Sequence, residues 1–315
     1  MKVIYFKDNL KLNLPPSIAT IGFFDGVHIG HKYLINHLIK EADNSCLKSM
    51  VITFDTHPRQ ILDSDYKPQL LSTFEEKITK LQQFHVDFII VLHFDKKLSL
   101  LSSNAFMLDI LKRKLNISKL LVGYDNHFGH DSSNTFSDYA AFGKNIGIDV
   151  IKNVVFSFNG VNISSSVIRR LLLSGNVAKA IEYLDEPYSL TGKVVYGCQN
   201  GNKIGFPTAN IDISKNSKLL PALGVYAVLV YINNEKKAKS GMLNIGYRPT
   251  FSGKTLSIEV NVFNYNGNLY GKTIKVDFIH YIRKEKKFNS IDSLIFQLNK
   301  DRKEIAALLN QDTNI

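Results

Sequence analysis

Apolar positions in the first half of the chain fall into two alternating rhythms. Residues 17–24 form a short apolar run that ends in a turn. The stretch 31–42 after it repeats at helical spacing, with Leu34, Ile35, Leu38, Ile39 and Ala42 on one face. Residues 50–54 read as a second buried strand. The pattern then predicts helix at 74–84, strand at 87–94, helix at 104–115, strand at 120–123, helix at 137–145 and strand at 148–156. Strands apolar on both faces, separated by helices of this length, predict a parallel α/β sheet. Two helical pieces follow, 165–174 and 177–184, and Gly175 stops the first.

Near Asp185-Glu186-Pro187 the rhythm changes. Strand-like runs follow at 190–196, 225–232, 243–246, 256–263 and 274–282, separated by Asn- and Gly-rich turns such as Asn264-Tyr265-Asn266-Gly267-Asn268. Many short strands with such turns predict a closed antiparallel barrel. A last helix at 291–309 puts Ile291, Leu294, Ile295 and Leu298 on one face, to pack on that barrel. Two domains are expected, 1–186 and 187–315.

Composition narrows the setting. With 315 residues, 44% hydrophobic and 21% charged, the chain has the make-up of a globular protein with room for two cores. No apolar run approaches the roughly 18–20 residues that cross a bilayer. The opening residues put charges where a secretory leader needs its apolar stretch. A cytoplasmic protein with no membrane partner is expected. Cys46 and Cys198 lie far apart, which gives neither a disulfide framework nor a metal pair. The net charge of +11 raises the question of nucleic acid, and Arg283-Lys284-Glu285-Lys286-Lys287 could meet phosphate backbones. Lysine greatly outnumbers arginine, however, whereas phosphate and base reading favours arginine. Nucleic acid is therefore not expected, and small anionic substrates suit the charge. Oligomeric state is not legible.

The segment Gly22-Phe23-Phe24-Asp25-Gly26-Val27-His28-Ile29-Gly30-His31 leaves a strand and enters a helix, which is where open α/β sheets bind ligands. His28 and His31, three residues apart at a helix start, project to one side. The helix's free N–H groups and positive dipole end add to them, and Gly26 and Gly30 let the backbone come close. Such a site suits a polyphosphate. Taken alone, the two imidazoles also read as a metal pair lacking a third ligand, or as surface histidines. Ser164-Ser165-Ser166 taken alone reads as a helix cap, with Arg169 one turn further on the same side.

His-x-Gly-His after a glycine-rich strand end resembles the ATP motif of the nucleotidylyltransferase superfamily. The longer GFFDGVHIGH is similar to its FMN adenylyltransferase branch. Three further segments fit that branch in order. Thr53-Phe54-Asp55-Thr56-His57-Pro58 resembles TFxPHP, with Asp and Thr where Glu and Pro are usual. Val122-Gly123-Tyr124-Asp125-Asn126-His127-Phe128-Gly129 resembles the flavin-site strand and loop, and Ile163-Ser164-Ser165-Ser166-Val167-Ile168-Arg169 resembles ISSTxIR. The resemblance implies attack of the FMN phosphate on the α-phosphorus of ATP with loss of pyrophosphate. It assigns Gly22, Phe24, Asp25, Gly26, His28, Gly30, His31, Ser164, Ser165 and Arg169 to the ATP side and Asp125 to the flavin. A phosphate nucleophile is already ionised, so positioning and charge neutralisation carry the reaction. The chain departs from the branch at His130-Asp131-Ser132-Ser133-Asn134, where a basic, glycine-containing loop is usual, and at Asn126-His127, where Phe-Arg is common.

In the second half, Gly205-Phe206-Pro207-Thr208-Ala209-Asn210 resembles the GxPTAN motif of riboflavin kinase. Gly192-Lys193-Val194-Val195-Tyr196-Gly197, with Gly201, resembles its glycine-rich flap; Asn202-Lys203 stands where an arginine commonly follows. The match runs on through Pro221, Gly224-Val225-Tyr226, Asn244-Ile245-Gly246-Tyr247-Arg248-Pro249-Thr250-Phe251, Glu259, Leu269-Tyr270-Gly271 and Arg283 to Phe288. The whole chain therefore resembles the prokaryotic bifunctional riboflavin kinase/FMN adenylyltransferase (FAD synthetase) family. That resemblance implies a nucleotidylyltransferase-type, Rossmann-like parallel sheet domain followed by a riboflavin-kinase barrel with a C-terminal helix. It also implies ATP as co-substrate, Mg²⁺, and riboflavin, FMN and FAD as substrate and products.

Riboflavin's hydroxyl is a weak nucleophile and benefits from a carboxylate base. In Leu256-Ser257-Ile258-Glu259-Val260-Asn261-Val262, strand alternation puts Glu259 with Ser257 and Asn261, opposite Ile258, Val260 and Val262. Alone that face reads as solvated; the family context makes Glu259 the base. Thr208 and Asn210 offer oxygens for Mg²⁺ and the ATP phosphates, and the resemblance adds Gly201, Lys203 and Arg283 to the cofactor side. The alternatives are a chain that keeps one activity, or a non-catalytic flavin-binding regulator. The presence of His28, His31, Arg169, Asn210 and Glu259 speaks against the regulator.

Overall fold

The structure, a computed structural model, describes residues 1–7, 12–63, 65–123, 128–129, 134–197, 201, 204–214, 217–233, 235–250 and 253–312. The chain divides into two compact units, Met1–Ser165 and Ser166–Ile315.

In the first unit, β1 (Lys2–Tyr5), β2 (Ser17–Ile21), β3 (Lys48–Phe54), β4 (Phe88–Leu92), β5 (Ile117–Val122) and β6 (Asp149–Lys152) form one sheet in the order β1-β4-β3-β2-β5-β6. All neighbours are parallel. The strands are apolar on both faces because helices cover both. On one face Ile18, Val51 and Ile89 pack with Leu34, Ile35 and Leu38 of α1 (Ile29–Asn44) and with Ile78 and Leu81 further along. On the other, Ala19, Met50, Ile52 and Ile90 pack with Phe106, Met107, Ile110 and Leu111. The chain steps from β2 to β3 on one side and later returns to lay β5 on the other. That reversal opens a crevice at the C-terminal ends of β2 and β5.

The expected alternation thus holds, with local differences. Edge strand β1 escaped the pattern, being four residues long with both ends exposed. The strand expected over 148–156 is only Asp149–Lys152, and a hairpin of β7 (Ser157–Phe158) and β8 (Val161–Asn162) follows. Its turn places Asn159 and Gly160 at φ 50° and 75°, as a two-residue Asn-Gly turn requires. The helix expected over 104–115 takes π geometry over Phe106–Lys114, with Leu115 N–H bonded to the Ile110 carbonyl at 3.0 Å.

In the second unit, β9 (Tyr188–Val195), β10 (Ala209–Asp212), β11 (Gly224–Ile232), β12 (Lys239–Thr250), β13 (Gly253–Val262) and β14 (Thr273–Arg283) close a barrel in the order β10-β13-β12-β11-β14-β9. Every neighbouring pair is antiparallel. Helix Val177–Leu184 packs on β14 and β9 and so counts with this unit, whereas the sequence pattern grouped it with the first 186 residues.

The last helix runs Ile291–Asp312. Of the expected face, Ile295 and Leu298 pack, partly buried, against a cluster of Phe206, Val225 and Met242 that also buries Ile305 and Leu309 further along the helix, whereas Ile291 is 64% exposed. A charge pair adds to them. The Arg283 guanidinium at the end of β14 holds the Asp301 carboxylate through Nε at 2.9 and 3.1 Å and Nη2 at 2.7 Å, and Asp301 is 1% exposed. Removing one partner strands the other charge away from water. Asp301→Ala should therefore destabilise the second unit by about 3–5 kcal/mol, read as a lower urea midpoint. A change under about 1 kcal/mol, the scale of an exposed pair, would contradict this reading.

Candidate active sites

After β2 the backbone turns sharply through Phe24 (φ 56°), Gly26 (φ 78°) and Val27 (φ 48°). The left-handed region is an outlier for a β-branched residue such as Val27. It is held because Phe24 and Val27 are buried in the cluster with Leu34, Ile35 and Leu38. Asp25, 3% exposed, turns its carboxylate to the N–H groups of Leu71 (2.9 and 3.0 Å) and Ser72 (3.2 Å). The Ser72 hydroxyl oxygen in turn accepts the Gly26 N–H at 3.1 Å. The Ser165 hydroxyl donates to the Asp25 carbonyl at 3.1 Å. Asp25 and Ser165, expected beside ATP, thus also fasten the turn itself.

His28 caps α1. Its Nδ1 accepts the His31 N–H at 3.4 Å, so in the neutral ring Nε2 carries the proton. The His31 ring stacks on it with centroids 3.6 Å apart, and Phe24 meets His31 edge-on at 5.2 Å. Burial, then the neighbouring His28 and Lys77, hold the His31 pKa well below the usual histidine value. Its Nδ1 is buried and makes no hydrogen bond among the described residues. An anion arriving here would meet a donor-capable ring whose affinity for a proton it would itself raise. Gly22 and Gly30 flank the turn; a Cβ on Gly30 would press on the His28 ring. Ser164 precedes the helix Ser165–Leu173, and Arg169 lies one turn into it, in the second compact unit. Asp125 lies outside the described residues, as does most of the loop around it.

Sequence reasoning missed Lys77. It sits in the helix Phe74–Gln82, is 2% exposed, and donates from Nζ to the carbonyls of Phe23 at 3.1 Å and Phe54 at 2.7 Å. Burial lowers its pKa to about 8 against the pull of Asp25 and Asp55. A signal was present: helical spacing puts Lys77 among Phe74, Ile78 and Leu81. At the next strand ends, Asp55 pairs with His93 at 2.7 Å. Burial pushes the Asp55 pKa up, but the hydrogen bond and charge of His93 outweigh it and lower it overall. The same bond raises that of His93. The pair borders a cavity of about 830 Å³, lined also by Tyr5, Phe6, Leu98, Ile110 and Arg113.

In the barrel, strand register does the assembling. Asn210 on β10 stands opposite Glu259 on β13, and Glu259 stands opposite Asn244 on β12, a polar row across three strands. Thr208, two residues before Asn210, donates its hydroxyl to Glu259 Oε2 at 3.1 Å. Ile258, Val260 and Val262 point inward as the alternation expected. Asn261 lines the same cavity as Glu259, as the alternation expected, but is buried there. It is 6% exposed and donates to the Pro207 carbonyl at 2.6 Å, which fixes the Pro-Thr-Ala-Asn turn. Gly197 passes so close over Asn210 that a Cβ there would run into its side-chain amide.

A cavity of about 330 Å³ is lined by Gly201, Thr208, Asn244, Glu259, Arg283 and the apolar Phe206, Val225 and Met242. Arg283, expected to hold nucleotide, borders this cavity while committed to Asp301. A second cavity of about 190 Å³ shares Thr208 and is lined by Val194, Tyr265 and Tyr270. Lys203 lies outside the described residues. Among the described residues no three His, Cys, Asp or Glu gather as metal ligands. The oxygens of Thr208, Asn210 and Glu259 are nonetheless the hard donors that Mg²⁺ takes, usually one or two carboxylates with substrate phosphates completing the set.

Comparison with known proteins covers both halves. Residues 11–167 match the family described as FAD synthetase, and residues 184–309 match riboflavin kinase. The bifunctional riboflavin kinase/FMN adenylyltransferase of Haemophilus influenzae is 34% identical over 98% of this chain and 100% of its own. That of Escherichia coli strain K12 is 36% identical over 90% of each. A crystal structure described as a macrolide-efflux protein from Streptococcus pneumoniae superposes with a TM-score of 0.83 at 30% identity, covering 96% of this chain and 97% of that one. Efflux belongs to that description. Here no described helix is long and apolar enough to cross a membrane.

The bonding of Asp25 gives a test that needs no ligand. Asp25→Ala leaves the Leu71 and Ser72 N–H groups without their acceptor and should cost on the order of 1–3 kcal/mol. Amide hydrogen exchange at Leu71 and Ser72 should accelerate together with the drop in denaturant midpoint. Unchanged protection at both amides would contradict the assigned bonds.

Proposed function

The chain belongs to the bifunctional riboflavin kinase/FMN adenylyltransferase family, and on that premise we propose how its residues divide the work. It phosphorylates riboflavin with ATP to FMN and ADP, then adenylylates FMN to FAD with release of pyrophosphate.

The kinase step belongs to the barrel. We assign riboflavin to the cavity of about 330 Å³ because Glu259 lines it. Glu259 takes the proton of the terminal hydroxyl as that oxygen attacks the γ-phosphorus and ADP departs. ATP is assigned to the adjoining cavity, so that Thr208, common to both, lies where the two substrates meet. Thr208 and Asn210 would hold Mg²⁺, which would supply neutralisation of phosphate charge when bound. The observation that supports this assignment best is the bond from Thr208 to Glu259 at 3.1 Å, which joins the motif turn to the base.

The adenylyl step belongs to the sheet. Here the nucleophile is the FMN phosphate, which needs no base; its oxygen attacks the α-phosphorus and pyrophosphate leaves. His28 donates from Nε2, while His31, whose proton affinity burial lowers, gains basicity beside polyphosphate. The N-terminal N–H groups of α1 add their share. We assign both steps to the cytoplasm, with small molecules as the partners.

Purified chain with riboflavin, ATP and Mg²⁺ should give FMN and ADP, then FAD and pyrophosphate, by chromatography. Glu259→Gln should slow FMN formation by roughly 10²–10⁴-fold yet leave added FMN convertible to FAD. His28→Ala should slow FAD formation on the order of 10²–10³-fold and let FMN accumulate. Equal loss of both steps in either variant would overturn the division of labour.

A further inference from the structure

The first unit buries an ammonium group at the strand ends that carry its nucleotide turn. We propose that Lys77 is a positioning residue for adenylyl transfer, holding the carbonyl oxygens of Phe23 and Phe54 to one point and so fixing the turn that leads to His28 and His31 against the strand end that leads to His57. The inference rests on the assignment of adenylyl transfer to the sheet unit.

Three observations carry it. First, one nitrogen reaches both carbonyls, at 3.1 Å to Phe23 and 2.7 Å to Phe54. Phe23 lies two residues past the end of β2, and Phe54 is the last residue of β3. Lysine is suited to this because its three donors diverge from a single atom on a flexible stem. Second, the remaining side of the ammonium is covered. It stands 4.0 Å from the centroid of the Phe23 ring, whose edge meets the His57 ring at 4.7 Å, and 5.5 Å from that of Phe74. Movement of Lys77 would be transmitted to His57 through one ring. Third, the same helix reaches the turn again, since Lys80 Nζ donates to the Gly26 carbonyl at 3.4 Å. The Thr53 hydroxyl gives the Phe23 carbonyl a second donor at 3.2 Å.

A merely structural role, satisfying the two carbonyls, needs only neutral donors, whereas a desolvated charge adds a destabilising term of its own. The charged groups facing Lys77 are Asp25 from the turn, Asp55 from the end of β3 and His31 from α1. Asp25 and Asp55 favour the ammonium, yet burial dominates and the group titrates at about 8. The sign follows. Its folded pKa lies below the unfolded value of 10.5, so the unfolded chain binds more protons between about 8 and 10.5. The charged form therefore opposes folding below about 8, and that cost fades as pH rises. The protein carries this charge at neutral pH against its own stability.

The experiment compares full-length parent, Lys77→Met and Lys77→Arg, with FMN formation by the barrel as an internal control for an intact chain. In Lys77→Met, kcat for conversion of added FMN to FAD should fall on the order of 10²-fold, the scale of an ångström-sized misplacement. KM for FMN should stay within about threefold and FMN formation within about twofold. In the parent, kcat for FAD formation should decline as pH rises through about 8, with no matching decline in FMN formation. The residual activity of Lys77→Met should lack that decline. Should Lys77→Met fail to fold, Lys77→Arg carries the same test, because its guanidinium keeps its charge across the range. The inference is overturned if Lys77→Met keeps kcat within about threefold, or if the decline persists in either variant. A parent chain that makes FMN but no FAD would instead remove the reading on which the inference stands, and the inference with it.

Discussion

A polar backbone group that leaves a strand end inside the protein must find a partner there, and this requirement shapes both sites. At the end of a parallel sheet the carbonyls run out of neighbouring strands but are not yet in water. The chain answers with side chains drawn from elsewhere: Lys77 for the carbonyls of Phe23 and Phe54, Asp25 for the amides of Leu71 and Ser72, and Ser165 for the carbonyl of Asp25. The barrel answers in the same way, with Asn261 on the Pro207 carbonyl. In each case a turn beside a candidate site is fixed by a hydrogen bond from an element behind it.

The two halves meet different chemical demands, and the residues follow the difference. In the proposed division of labour the sheet unit meets a phosphate nucleophile that is already charged, and what its turn presents at α1 is imidazoles and helix amides. The one carboxylate in the turn, Asp25, is bound to backbone amides. The proposed kinase step meets a sugar-alcohol hydroxyl that still carries its proton, and in the barrel Glu259 stands in a polar row with Asn210 and Asn244. On the proposed division of labour, one site positions charge with imidazoles and helix amides and the other supplies a base.

Much of this was legible in the sequence. Doubly apolar strands between helices gave the parallel sheet, and Asn/Gly turns between short strands gave the barrel, because periodicity reports directly on which faces are covered. The motif strings brought Thr208, Asn210 and Glu259 together before any coordinates. What stayed hidden is of another kind. Lys77 looks like one more charge in Phe74-Glu75-Glu76-Lys77, and its carbonyl partners lie 54 and 23 residues away. Asp25 and Arg283 carry the right chemistry for ligands, yet tertiary contacts with Leu71 and Ser72 and with Asp301 claim their hydrogen bonds. Ile291 fits the helical stripe but falls beyond the barrel's reach, while Ile305 and Leu309, further along, are covered. Local pattern tells what a residue is able to do; distant partners decide what is left over.

The left-handed turn at Phe24 and Val27 has a consequence for how such chains diversify. Backbone in that region costs on the order of 1–3 kcal/mol per residue and persists only while its surroundings insist on it. Besides the burial of Phe24 and Val27, part of that insistence comes from residues 71–80, through Leu71, Ser72, Lys77 and Lys80. Residues 22–28 and 71–80 are therefore one heritable block. Drift in either segment is tolerated only where the other changes to suit, so the two should covary across descendant lineages although some fifty residues of sequence separate them.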